Sequence, residues 1–122
     1  MQKKNELFVM TKAKDLAKYI FTITEKSPKK FRFTLVARLQ NFILDIIQSI
    51  HLANSEKDYN KRLILQDKAR GDLAMLDYFS GIAFEVECIL FKQYEQISKS
   101  IAECLLYLKK WVASTKKLVS TD

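Results

Sequence analysis

Glycine and proline are nearly missing from this chain, at two and one in 122 residues. Sandwiches and barrels spend a special residue on most of their turns, so an all-β architecture is excluded. Gly71 and Gly81 stand alone, which excludes a glycine-rich phosphate loop. The single histidine, His51, rules out a two-histidine metal site and leaves one candidate base. The two cysteines, Cys88 and Cys104, lie too far apart to read as a metal set or a disulfide framework. No apolar run reaches the length of about 18 residues that spans a bilayer. Met1 is followed by polar, lysine-rich residues rather than the apolar core of a signal peptide. These absences predict a reduced, cytoplasmic protein with no membrane span.

What is present is ordinary globular composition, 48% hydrophobic and 29% charged. The length suits one domain over residues 1–122. Helical periodicity runs through four segments. Over about 5–25, Val9, Ala13, Leu16, Ala17, Ile20 and Ile23 share an arc with Met10 and Phe21, while Lys4, Lys14, Lys18 and Lys26 fall opposite. Ser27-Pro28 ends that segment, because proline disfavours helical geometry in the residue before it.

The second segment, about 31–54, carries two apolar seams. One holds Phe31, Leu35, Leu39, Phe42, Ile46 and Ala53; the other holds Phe33, Val36, Ile43, Ile47 and Ile50. A helix apolar on most of its circumference is expected to be buried on more than one side, one of them against a second copy of the chain. The third segment, about 58–86, repeats Leu65, Ala69, Leu73, Leu76, Phe79 and Ala83, adjoined by Met75, Tyr78 and Ile82. Gly71 inside it costs about 1 kcal/mol relative to alanine, which predicts a close helix–helix approach there. The triplet Arg70-Gly71-Asp72 then reads as helix surface. The fourth segment, about 91–115, shows the stripe Tyr94, Ile97, Ile101, Cys104, Leu105, Leu108, Trp111 and Val112. Four such helices joined by short links predict an all-α, up-down-up-down four-helix bundle.

The pattern offers no catalytic constellation. Glu85 and Glu87 are two apart and face different ways on a helix, so they form no acid–base pair. A bundle di-metal site wants Glu-x-x-His pairs, and Gln48 stands three before His51. Helical ribonucleases of the higher-eukaryote/prokaryote nucleotide-binding fold place His four to six residues after Arg; here Arg38 lies thirteen before His51. No enzyme activity, cofactor or metal is expected.

The formal charge is +7, and it is unevenly placed. Residues 1–38 hold ten basic side chains against three acids, whereas the remaining 84 residues hold eleven of each. The candidate nucleic-acid-binding residues are Lys12, Lys14, Lys18, Lys26, Lys29, Lys30, Arg32 and Arg38. A basic surface not interleaved with acids attracts phosphates and releases counterions, giving salt-sensitive binding. Tyr19, Phe31 and Phe33 lie near it and could stack on bases, although periodicity assigns Phe31 and Phe33 to the core. The competing reading from the same residues is a structural oligomer whose lysines only solubilise it.

Lys12-Ala13-x-Asp15-Leu16, Ser27-Pro28-Lys29 and Arg32-Phe33-Thr34-Leu35 occur in that order. They are followed by Ala53-Asn54, Ala69-x-x-x-Leu73-x-x-Leu76, Tyr94-Glu95, Glu103 and Leu108-x-x-Trp111. Over residues 7–114 this resembles the accessory variability determinant proteins of diversity-generating retroelements. Lys109, Lys110 and Leu105 stand where that family commonly has glycine, and Phe91 where it often has a Ser or Thr cap. A second, lesser resemblance is to the four-helix proteins encoded in intervening sequences of large-subunit ribosomal RNA genes, but the Ser-x-Pro-x-Asn-like segment is missing. The first resemblance implies a ring-shaped homopentamer of four-helix bundles. It also implies a partner reverse transcriptase and its template RNA, with DNA as the other nucleic acid, and support of mutagenic cDNA synthesis without chemistry of its own.

Overall fold

Where the apolar period holds unbroken, the computed structural model shows helix. It describes the backbone of residues 2–121 and the side chains of residue 6 and residues 8–121. Lys4, assigned above to the polar arc, lies outside the described side chains. The helices are α1 (Gln2–Thr24), α2 (Ala37–Ser55), α3 (Tyr59–Glu85) and α4 (Phe91–Thr121). The described residues contain no strand. α1 packs on α2 and α4, and α3 packs on the same two neighbours. Each helix therefore lies against the next in sequence, and the last returns to the first.

The apolar arcs meet in one core. Val9, Ala13, Leu16 and Ile20 are buried with Leu39, Ile43, Ile46 and Ile50 across the bundle from Leu73, Leu76, Ile97, Leu108 and Trp111. Polar ties fix the pairing of neighbours. Gln40 Nε2 donates to Thr24 Oγ1 at 3.1 Å between α2 and α1. The fully buried Gln66 donates through Nε2 to Thr115 Oγ1 at 3.0 Å, between α3 and α4.

Three differences from the sequence reading have identifiable causes. First, the segment beginning at 31 is not one regular helix. Pro28, at φ −54° and ψ 137°, starts a 3₁₀ turn, Lys29–Phe31, which leads into a π turn, Arg32–Val36, before α2. The widened turn shifts the helical phase, so Phe33 is 87% exposed instead of joining Val36 and Ile43 in the core. Second, the two seams of α2 are absorbed within the bundle: Leu39, Ile46 and Ala53 from one and Val36, Ile43 and Ile50 from the other are all buried. α2 also leaves Leu44 and Leu52 exposed. Met75 and Tyr78, expected beside the core, are exposed on α3 instead, and Ile64 with them. Third, α4 continues to Thr121, because Leu118 and Val119 extend its half-buried stripe and no glycine or proline interrupts it.

Gly71 does not mark a close approach. A Cβ built there would meet nothing within 4 Å. Around it, Arg70 pairs with Asp67 and Lys68 with Asp72, both at 2.8 Å, so the Arg-Gly-Asp triplet is helix surface. His51 is exposed near the end of α2, and both cysteines are free and buried.

Candidate nucleic-acid interface

The basic residues of the first third reach three different surroundings. Lys12 is engaged: its ammonium lies 2.8 Å from the Glu103 carboxylate, tying α1 to α4. That bond raises the Lys12 pKa and lowers that of Glu103 below the ordinary carboxylate value. Lys12 is therefore drawn toward α4 and away from the other seven.

Lys14, Lys18 and Lys26 are exposed on α1 and its exit, and Asp15 and Glu25 are exposed beside them. The fold thus interleaves acids along this face, against the sequence expectation. Lys29, Lys30 and Arg32 follow on the two irregular turns, all exposed. Among the described residues, neither these three nor Lys14, Lys18 and Lys26 form an ion pair. The chain has no acid between Glu25 and Asp45, so the turn and the start of α2 form its least neutralised surface.

The same end of the bundle carries the α3–α4 turn, where the buried Cys88 thiol lies beside the Ser27 hydroxyl. Burial pushes the Cys88 pKa up. Glu85 closes α3, whereas Glu87 lies beyond its end with φ 64°, so the two carboxylates do not share a helix.

Arg38, one helical turn or more beyond Arg32, is held differently. Its guanidinium carbon lies 5.5 Å from the Phe79 ring centroid and 5.9 Å from that of Phe42. Those rings stack on each other at 5.5 Å. A cation over stacked rings loses freedom but keeps its charge. Arg38 also lines an open cleft of about 440 Å³ with Phe33, Thr34, Asn41 and Phe79. Lys30 Nζ lies 5.1 Å from the half-buried Phe31 ring. Tyr19 is half-buried, and desolvation raises its pKa.

A second basic surface lies on α4, whose lysines the sequence pattern explains only as cations near a helix C-terminus. Residues 104–121 hold Lys109, Lys110, Lys116 and Lys117 and no acid, a run concealed by the neutral total of the last 84 residues. All four are exposed on α4, which packs on the amino-terminal helix. Lys110 Nζ lies 5.5 Å from the Tyr107 ring.

Among the described residues, no group of three or more His, Cys, Asp and Glu side chains is placed to hold a metal ion. Cys104, deep between the helices, has its thiol pKa pushed up to about 12 by burial, so it is no nucleophile at neutral pH. No helix among the described residues is long and apolar enough to cross a membrane.

The model of the bAvd-like family matches residues 7–115, nearly the whole described bundle. The chain belongs to the bAvd-like family, that of the accessory variability determinants. This is the first of the two resemblances carried by the sequence motifs, and the match begins and ends within a few residues of that reading. No curated protein matches the chain. The departures from the family pattern can now be placed. Lys109 and Lys110 are exposed and Leu105 is half-buried, and α4 runs through all three without a break. At the start of α4, Gln93 reaches back to the residue before the helix. Its Oε1 accepts from the Leu90 N–H at 2.8 Å, the returning half of a capping box.

Proposed function

We propose that this bAvd-like chain is a non-catalytic, nucleic-acid-binding accessory protein that associates with a retroelement reverse transcriptase and its template RNA and supports mutagenic cDNA synthesis. The observation that carries the nucleic-acid part is the acid-free stretch from Lys26 to Leu44, whose Lys29, Lys30 and Arg32 project from turns without ionic partners among the described residues. Unpaired cations on one surface bind phosphate oxygens at little desolvation cost and gain from counterion release. Membership of the accessory variability determinant family supports the reverse transcriptase as partner. Lys14 and Lys18 extend the surface along α1, and Arg38 extends it along α2. Lys12 contributes least, since contact with phosphate must first release it from Glu103. Template RNA is the proposed strand, with DNA as the other nucleic acid, and the proposed compartment is the cytoplasm.

Assembly belongs to the same proposal. Ile64 and Tyr78 on α3 are 70% and 67% exposed, with Met75 between them. Apolar side chains at such exposure on one helix favour contact with further copies, and a ring of five would repeat each basic surface and multiply weak contacts. The same observation supports the second reading, a structural oligomer that binds no nucleic acid.

The variant Lys14→Glu/Lys18→Glu/Lys29→Glu/Lys30→Glu separates the two. Each position is exposed, so the fold is expected to survive with its circular dichroism unchanged. RNA affinity measured by anisotropy at low salt is expected to fall by at least about tenfold, from the loss of several phosphate contacts. Unchanged affinity would remove this surface from the interface. Absence of binding by the parent chain, together with a multimer by light scattering, would select the structural oligomer.

A further inference from the structure

Phe33 breaks the pattern of the bundle. Eight phenylalanines occur in the chain, and this one is 87% exposed although Val36 and Leu39, three and six residues on, are buried. The π turn Arg32–Val36 causes it: Arg32, Phe33 and Thr34 are three consecutive exposed residues before the chain turns inward at Leu35 and Val36. π turns inside helical segments are frequent at functional sites. Leaving a phenyl ring in water forgoes the transfer free energy that the neighbouring apolar residues gain by burial.

The ring does not stand on an empty surface. It borders a cleft of about 440 Å³ that Phe79 and Arg38 also line, together with Thr34 and Asn41. Arg38 is pre-positioned there over the stacked Phe42 and Phe79 rings. The cleft therefore combines an exposed aromatic face, a fixed planar cation, a hydroxyl and an amide, with no carboxylate among its walls. Lys29, Lys30 and Arg32 precede Phe33 in the chain without ionic partners among the described residues.

We propose that Phe33 and the Arg38 cleft form a stacking site for one unpaired base of a single-stranded RNA, with the flanking phosphates held by Lys29, Lys30 and Arg32. The inference rests on the nucleic-acid reading above and adds to it the strand type and the residue that recognises it. A base in a duplex has both faces covered, so an aromatic platform selects unpaired nucleotides. The site accepts any of the bases, because stacking uses the π-face that all of them share. Arg38 adds a guanidinium plane and Asn41 an amide able to meet a base edge. A purely apolar partner would leave the cations of the turn and the Arg38–Asn41 wall without counterparts, which is why nucleic acid is the favoured occupant.

The test uses the full chain and a 20-nucleotide oligouridylate. Phe33→Ala removes an exposed ring, so thermal unfolding is expected to be unchanged. Affinity is expected to fall between about five- and 150-fold, the range for losing one base–aromatic stack. The salt dependence should keep its slope, since no phosphate contact is lost. Lys29→Glu/Lys30→Glu should instead flatten that slope. Phe33→Trp should bind like the parent, with its new emission quenched by the stacked base; Trp111, the chain's own tryptophan, is fully buried and serves as a constant background. Equal affinity of Phe33→Ala and parent overturns the stacking site while leaving the nucleic-acid reading intact. With affinity equal, a loss of self-association or of binding to anionic vesicles in Phe33→Ala equally overturns the stacking site, and assigns Phe33 to a protein or a membrane contact. No binding of oligouridylate by the parent at low salt overturns both.

Discussion

Gly71 sits in the middle of a 27-residue helix with open space where a side chain would be. Its backbone needs no left-handed conformation. Gly71→Ala is therefore expected to raise stability by about 1 kcal/mol, the difference in helix propensity, read as a shift of the denaturant midpoint at constant slope. The Lys12–Glu103 bond gives a pH-dependent counterpart. Glu103 has its pKa lowered from 4.5, so the stability it contributes is present above that value and is lost as pH falls through the lowered one. Lys12 has its pKa raised from 10.5, so its contribution is present below that value and is lost as pH rises through the raised one. Glu103→Gln should thus be less stable than the parent at pH 7, with the gap closing on acidification below pH 4.5 and shrinking in salt. A gap independent of pH would show that the pair does not carry the effect. Neither residue's role was legible beforehand: helical spacing tells which residues share a face, but not what stands across from Gly71 or opposite Lys12.

The helices themselves were legible, with ends within three residues except at the start of α2 and the end of α4, because an unbroken 3.6-residue period over 20 or more positions has few other solutions. The turns were not. Proline marked the end of α1, yet nothing in Lys29–Val36 announces that one turn will widen, and the resulting change of phase moved Phe33 from core to surface. The α3–α4 turn concealed another feature. There the Cys88 N–H donates to the Ala83 carbonyl at 2.7 Å and the Glu87 N–H to the Phe84 carbonyl at 3.0 Å, the six-to-one and five-to-two bonds of a Schellman motif. Its left-handed position, φ 64°, is usually glycine and here is Glu87. A side chain in that region costs about 1–2 kcal/mol, so Glu87→Gly is expected to raise the midpoint of thermal unfolding by several degrees. A lowered midpoint would mean that the Glu87 side chain makes a compensating contact.

At the scale of the whole molecule, the excess charge resolves into two surfaces and a neutral scaffold. One surface runs from Lys26 through Arg38 at the α1–α2 turn, and the other holds the four lysines of α4 beyond Tyr107. The first was visible in the sequence because no acid interrupts it. The second adds nothing to the net charge, because acids elsewhere in the last two thirds cancel it in the sum. Counting apolar positions on α2 cannot tell how wide an arc four packed helices will cover: Leu39, Ile43, Ile46 and Ile50 are buried within the bundle, while Leu44 and Leu52 stay exposed. Large apolar residues stay exposed on several elements, among them Leu44 and Leu52 on α2, Ile64, Met75 and Tyr78 on α3 and Leu106 on α4.

The central claim, that the unpaired cations meet phosphates, is tested most directly by the salt dependence of RNA binding. Each phosphate neutralised on a single strand contributes about −0.7 to the slope of log K against log salt. Binding through the acid-free turn and its extensions along α1 and α2 predicts a slope of about −3 to −5 for the parent chain, flattened in the quadruple charge-reversal variant. A slope near zero, or one identical in parent and variant, would contradict the account.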